Sequence, residues 1–415
     1  MITVVVLGGG FGGIRCALDL ARKGREAVRV ILIERNSYHL FTPSLYEVAS
    51  AYPVPGDTVF HVPLRRAVAV PYREIFAGKN IEVVQSEIIA ADLAAHEVTL
   101  KGGDKIPFDY CVLGLGSETA DFGISGVREY AYPFKTIEDA LAINQKMHEL
   151  FKLFRDTSQP TPIKFLVIGA GFAGVELAAE IASYARQIAR DLDLPRKSFS
   201  VALFEAAPTI LPMIDARYRA SIMARLTELG VAVMADSTIE SVAADSVSLK
   251  SGQTVSGAMV IWTAGVRANS TLGAIKGLHL TERGKIAIDR TLAVPNFPHT
   301  FAIGDIIECI DPKTEKPVPG LAYTAKAQAS VAAANILADF REKKKKQYLP
   351  HYNAWIAPVG GKFSFSHINN SMTFSGLIGW LVRGLVDLRY LLSILPPMKA
   401  FRLFWSDQMM FTKND

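Results

Sequence analysis

A chain of 415 residues is long enough for two or three domains, each with its own core. Half of the residues are apolar and the mean hydropathy is +0.21, which points to a surface suited to lipid as well as to water. The net charge of +5 is only modestly basic, and no aromatic–basic stripe or DNA-binding module accompanies it, so nucleic acid is not expected as a partner.

The chain opens on an apolar strand, Val4-Val5-Val6-Leu7, followed by Gly8-Gly9-Gly10-Phe11-Gly12-Gly13 and a helix of small apolar residues. Strand, G-x-G-x-x-G turn and helix in that order suit a pyrophosphate. Gly8 allows the tight turn, Gly10 lets the backbone approach the ligand, and Gly13 lets helix and strand pack closely. Glu34 closes the next strand at the distance of about 20 residues expected of a ribose-binding carboxylate. A further strand, Cys111-Val112-Leu113-Gly114-Leu115-Gly116, returns the chain to the switch point of this sheet.

The same pattern then repeats. Phe165-Leu166-Val167-Ile168 leads into Gly169-Ala170-Gly171-Phe172-Ala173-Gly174, and Glu205 closes the strand beginning at Val201. Glu205 comes about ten residues later than the spacing rule expects, and the basic stretch 186–197 reads as an insert. No arginine follows Glu205 closely, so its carboxylate repels a 2′-phosphate and predicts NADH over NADPH. One such turn is a weak signal, but two with their acidic partners point to two dinucleotides.

The strand Val260-Ile261-Trp262-Thr263-Ala264-Gly265 ends the second unit. His299-Thr300-Phe301-Ala302-Ile303-Gly304-Asp305 is then expected to rejoin the first, with Asp305 hydrogen-bonding the ribityl chain of a flavin. The reading is α/β, with residues 118–295 inserted between 1–117 and 296–365, and a separate C-terminal region at 366–415. The first strand starts at Ile2, so no targeting segment is expected, and no run reaches the ~18 apolar residues of a spanning helix.

Residues 374–395 carry Leu377, Ile378, Trp380, Leu381, Leu385 and Leu388 interrupted by Arg383, Asp387 and Arg389. Pro396 and Pro397 stop this segment, and a second one carries Phe401, Leu403, Phe404 and Trp405 among Lys399 and Arg402. Paired amphipathic helices lying in a membrane interface would have this composition; a dimer interface or a cap on the core is the alternative. Cys16, Cys111 and Cys309 form no C-x-x-C pair and no metal spacing, so they read as small apolar side chains and no metal is expected.

Several stretches outside the glycine turns resemble the type II, non-proton-pumping NADH:quinone oxidoreductases of the two-dinucleotide flavoprotein group. They are the run from Glu34-Arg35-Asn36 through Phe41-Thr42-Pro43 to Val48-Ala49, Leu115-Gly116-Ser117-Glu118-Thr119, Lys135-Thr136-Ile137-Glu138-Asp139-Ala140, and Trp262-Thr263-Ala264-Gly265-Val266-Arg267-Ala268-Asn269. The resemblance implies two Rossmann-like domains, non-covalent FAD in the first, NADH in the second, and two electrons passed to a membrane quinone. Its FAD residues would be Gly8, Gly10, Phe11, Gly13, Glu34, Arg35, Thr42, Pro43, Val84, Gly116, Gly304, Asp305 and Ala325. The NADH residues would be Gly169, Gly171, Phe172, Gly174, Glu205, Ala264 and Gly265, with Glu176 in the first helical turn beside the nicotinamide. The resemblance also implies a homodimer, bound peripherally to the cytoplasmic face of the cell membrane.

One motif departs from the family. Where it often has A-Q-x-A-x-Q, this chain has Ala322-Tyr323-Thr324-Ala325-Lys326-Ala327-Gln328. Gln328 stands one residue late, about 100° around a helix, and is the candidate to reach flavin and quinone. Another electron acceptor, a sulfide:quinone chemistry with redox cysteines, or a slowly turning redox sensor are the other readings.

Overall fold

The computed structural model describes residues 1–51, 61–157, 161–369 and 371–411. β1 (Ile2–Leu7) is apolar on both faces, and Val4, Val5, Val6 and Leu7 are fully buried, as a parallel strand covered on both sides must be. The glycine turn leads into α1 (Phe11–Gly24) and then β2 (Val28–Glu34), which runs parallel to β1 with Leu7 opposite Ile33. β3 (Ile81–Gln85) extends the sheet beyond β2, and β4 (Tyr110–Leu113) flanks β1 on the other side. Residues Ser117–Thr119 then cross to the second unit, paired antiparallel with the returning Val266–Ala268.

The second unit repeats the plan. β5 (Tyr132–Pro133), β6 (Ile163–Ile168), β7 (Phe199–Phe204), β8 (Val231–Met234) and β9 (Met259–Trp262) form a parallel sheet in the order β5-β9-β6-β7-β8. α2 (Phe172–Asp191) joins β6 to β7. It is a 20-residue helix that includes Arg186 and Arg190. The last turns of α2, beyond the length of α1, and the connection to β7 make up the stretch 186–197 and account for Glu205's delay.

The chain re-enters the first unit earlier than residue 295. Ile275–Lys276 already pairs with the strand Ile88–Asp92. β10 (Ala293–Val294) and β11 (Phe297–Ala302) then complete the first sheet in the order β10-β11-β4-β1-β2-β3. Two-residue strands carry no readable alternation, which hid this return from the sequence. α3 (Ala322–Phe340) lies along α1, where Ser330 Oγ donates to Asp19 at 2.8 Å. Trp355–Pro358, Ser364–Ile368 and Met372–Phe374 form a small antiparallel sheet, and Ala357, Val359 and Phe365 share a core with α2, so this sheet leans on the second unit. Two C-terminal helices follow as expected, α4 (Gly376–Ile394) and α5 (Pro397–Phe411). Among the described residues no helix is long and apolar enough to cross a membrane.

Candidate active site

The carboxyl ends of β1 and β4 open into a cavity of about 860 Å³, within the ~300–1,000 Å³ usual for cofactor and ligand pockets. Gly8, Gly10, Phe11, Glu34, Arg35, Thr42, Gly116, Gly304, Asp305 and Ala325 all line it. The turn itself fits a diphosphate. A Cβ on Gly13 would stand 1.9 Å from the Gly8 carbonyl oxygen, so only glycine lets α1 start so close to β1. A Cβ on Gly10 would meet nothing within 4 Å, because that position faces the open cavity. Glu34 is fixed by the same turn, its Oε2 accepting from Gly9 N–H at 2.8 Å.

The second turn has the same construction. Gly174 approaches Gly169 as Gly13 approaches Gly8, with a Cβ-to-oxygen distance of 1.8 Å, and Gly171 faces open space. Glu205 Oε2 accepts from Ala170 N–H at 2.7 Å, and Oε1 accepts from Ala207 N–H at 2.9 Å. Opposite the turn, Thr263 places its hydroxyl 2.8 and 2.9 Å from the carbonyl oxygens of Ile168 and Gly169, and Ala264 and Gly265 continue beside it. Phe172 opens α2, half-buried at its first position. Each unit thus offers a glycine turn with a carboxylate held on it, the donor and acceptor set that a dinucleotide needs.

Four expected residues stand outside the first cavity's lining. Gly13 acts through packing. Pro43 follows Thr42 in a one-turn helix but does not line the cavity. Val84 sits back in β3 in register with Ile33, and residues 86–88 line the cavity in its place. Gln328 is buried at 3% exposure, and its Oε1 accepts from Gly304 N–H at 2.8 Å. The 100° shift therefore turns Gln328 into the protein, where it braces the Gly304-Asp305 corner.

Glu176 corrects a second expectation. It falls past the first turn of α2, which contains no acidic residue, so the helix terminus is not its main influence. Its surroundings are a charge cluster between α2, the helix Leu45–Ala49 and α4. Arg383 Nη2 lies 2.6 Å from Glu47 Oε1 and 3.1 Å from Ser44 Oγ, and Arg383 Nε lies 3.5 Å from Asp387 Oδ2. Arg383 and Glu47 are buried. Burial pushes the Glu176 carboxyl up to about 8, against the pull of Arg383 and with reinforcement from Glu47 and Asp387. Asp387 is likewise pushed up to about 7. At neutral pH the cluster therefore holds protons on carboxyl groups next to the second turn's helix.

Other lining residues come from segments that no motif joins. Lys135 Nζ donates to Ser117 Oγ at 2.9 Å, and Ser117 Oγ donates to Asp305 Oδ2 at 2.6 Å, so one chain of contacts ties both units to the Gly304-Asp305 corner. His39, Tyr72 and Asn269 also line the cavity. Phe41 stacks on Tyr390 of α4 at 5.4 Å, and Lys326 Nζ, half-buried, lies 4.7 Å above the same ring. Cys16 and Cys111 are buried with their thiols pushed upward by desolvation, and Cys309 is half-buried and pushed up to about 11.

The chain is 27% identical to the type II NADH:quinone oxidoreductase Ndh of Mycobacterium tuberculosis, across 99% of this chain and 89% of that protein. It is 28% identical to the type II NADH:quinone oxidoreductase of Haemophilus influenzae, across 84% and 83%. The structure of NDH2 from Plasmodium falciparum in complex with NADH has the same fold, with a TM-score of 0.82 at 18% identity over 100% of this chain and 97% of that one. The sulfide:quinone oxidoreductase of Aquifex aeolicus shares the fold with a TM-score of 0.77 at 20% identity over 95% and 91%. The family model described as pyridine nucleotide-disulphide oxidoreductase matches residues 2–329, and with both dinucleotide turns inside that span the chain belongs to this family.

Proposed function

We propose that this protein is a peripheral membrane flavoenzyme that oxidises NADH and reduces a quinone, with FAD in the first cavity and NADH on the second turn. Bound there, FAD supplies the two-electron exchange between nicotinamide and quinone. The chain's own residues bind, orient and shield. Glu34 accepts from the adenosine ribose in the first unit and Glu205 from that of NADH in the second. Asp305, held by Ser117 and Lys135, holds the ribityl side. Glu176 presents a carboxyl kept protonated near neutral pH, placed to stand beside the nicotinamide and to hold a proton there. The duplicated turn, with Glu34 on Gly9 N–H and Glu205 on Ala170 N–H, carries the reading.

The lipid side rests on α4 and α5. Ile378, Leu381 and Leu385 recur at helical spacing on α4 and are 61%, 52% and 65% exposed, and Met398, Phe401 and Trp405 continue the apolar surface on α5. A pair of helices lying in a bilayer surface would cover such a face, and a lipid-soluble quinone would enter from that side. The cytoplasmic leaflet and a homodimer complete the proposal.

Anaerobic NADH should bleach the flavin band of the purified protein near 450 nm, and a soluble quinone should restore it. Bleaching that quinone fails to reverse would remove the acceptor assignment. Glu205→Ser combined with Ala206→Arg should move the preference towards NADPH, and an unchanged NADH to NADPH ratio would refute the role of Glu205.

A further inference from the structure

The carbonyl of Gly9 accepts from two buried side chains that arrive from different parts of the chain. Tyr72 Oη donates to it at 2.8 Å, and His39 Nδ1 lies at 3.3 Å. His39 is 1% exposed, and burial pushes its pKa down to about 4, so the ring is neutral at physiological pH. A neutral imidazole has one N–H, and a carbonyl can only accept. The proton therefore sits on Nδ1, which leaves Nε2 as an acceptor. Tyr390 Oη of α4, 2.7 Å from Nε2 and itself buried, supplies the matching donor. The chain of hydrogen bonds runs Tyr390 O–H to His39 Nε2, then His39 Nδ1–H to Gly9 C=O.

The direction of this chain matters for the turn. Gly9 C=O and Gly10 N–H belong to one planar trans peptide and point opposite ways. A carbonyl held by these two buried side chains aims the Gly10 N–H away from them, and around Gly10 a Cβ would find open space. Aromatic packing fixes the donor beforehand. Tyr390 stacks on Phe41 and lies 4.9 Å from the ring of Phe11, which meets His39 edge-on at 4.7 Å.

We propose that His39 and Tyr390 are positioning residues for the FAD diphosphate, through which the C-terminal helix α4 orients the amide of Gly10. The inference rests on the reading of the first cavity as the FAD site and extends it to residues that no glycine motif marks. It makes FAD retention a property of both ends of the chain.

The test measures FAD dissociation from the holoprotein by flavin fluorescence on dilution, at pH 7. Tyr390→Phe keeps the stacked ring and removes only the donor; the FAD dissociation constant should rise about tenfold. His39→Leu should raise it further. His39→Asn, whose amide nitrogen can replace Nδ1 as the donor to Gly9, should restore much of the affinity. In that background Tyr390→Phe should have little effect, because the relay it serves is gone. Nitrogen NMR of the holoprotein should show His39 neutral with its proton on Nδ1. Unchanged FAD dissociation in both Tyr390→Phe and His39→Leu would overturn the proposal, as would a proton on Nε2 in the parent. A parent protein that retains no FAD would instead bring down the reading of the cavity.

Discussion

Replacing Asp387 by Asn should change how stability depends on pH, with a sign fixed by the charge cluster. Asp387 is held in α4 beside Arg383, and burial, opposed by Arg383 and reinforced by Glu47, pushes its carboxyl up to about 7. In the unfolded chain the same group titrates near the ordinary aspartate value of about 3.9. Below about pH 4 it is protonated in both states and adds no slope. Between about pH 4 and 7 the folded protein keeps a proton that the unfolded chain has released, so stability falls as pH rises. Above about pH 7 both forms are ionised and the loss is complete. About three units at ~1.4 kcal/mol each set that loss at up to ~4 kcal/mol. Asparagine has nearly the shape of the protonated acid and never ionises. Asp387→Asn should therefore match the parent near pH 4 and exceed it by ~2–4 kcal/mol at pH 8. Comparing urea unfolding of parent and variant in saturating FAD across this range cancels the groups Asp387 does not touch and leaves Asp387 together with its effect on Glu176. Parallel curves with a constant offset would refute the buried, partly protonated cluster.

Gly10→Val should fold yet stay colourless: its backbone is extended, at φ −73° and ψ −168°, and the new side chain would point into the cavity. Its melting temperature without FAD should equal the parent's, whereas Gly13→Ala should lower it by forcing α1 away from β1. Gln328→Ala leaves the Gly304 N–H without its acceptor and should cost ~1–3 kcal/mol by chemical unfolding, while Gln328→Glu keeps the accepting oxygen but buries a carboxyl, so its cost should grow as pH rises. Leu381→Asp with Leu385→Asp removes two exposed side chains from the α4 face at ~1.5–3 kcal/mol each of lost lipid contact. Sedimentation with vesicles should fall sharply while flavin content holds, and undiminished sedimentation would argue against that face as the docking surface.

The two turns were legible because their requirement is local. Gly8 and Gly13, or Gly169 and Gly174, meet within six residues, and no other side chain fits at 1.9 and 1.8 Å from a carbonyl oxygen. Glu34 and Glu205 could be found because each ends a neighbouring parallel strand, and strand order fixes where such an end lies. His39, Tyr72 and Lys135 were missed because each reaches the cavity from a segment that long-range folding delivers. Arg383 and Glu47 are 336 positions apart in the sequence, yet their side chains lie 2.6 Å apart. Gln328 shows the limit of motif matching: one step along a helix changed a cavity residue into an internal brace. Glu176 is singled out by its neighbours in sequence, but its raised carboxyl follows from burial in a cluster that distant segments assemble, which nothing near Glu176 announces.

Asn269 N–H donates to the carbonyl of Gly116 at 3.1 Å, and Ser117 faces Ala268 across the strap between the units. The doorway through which the polypeptide departs is also the one through which it comes home. A splice joining residue 116 to residue 269 would span almost no distance, and its cost would fall on Leu45, Val48, Ala357 and Phe365, which share a core with the inserted unit. The remaining part keeps its six-stranded sheet uncut, since every strand of it lies before the exit or after the return.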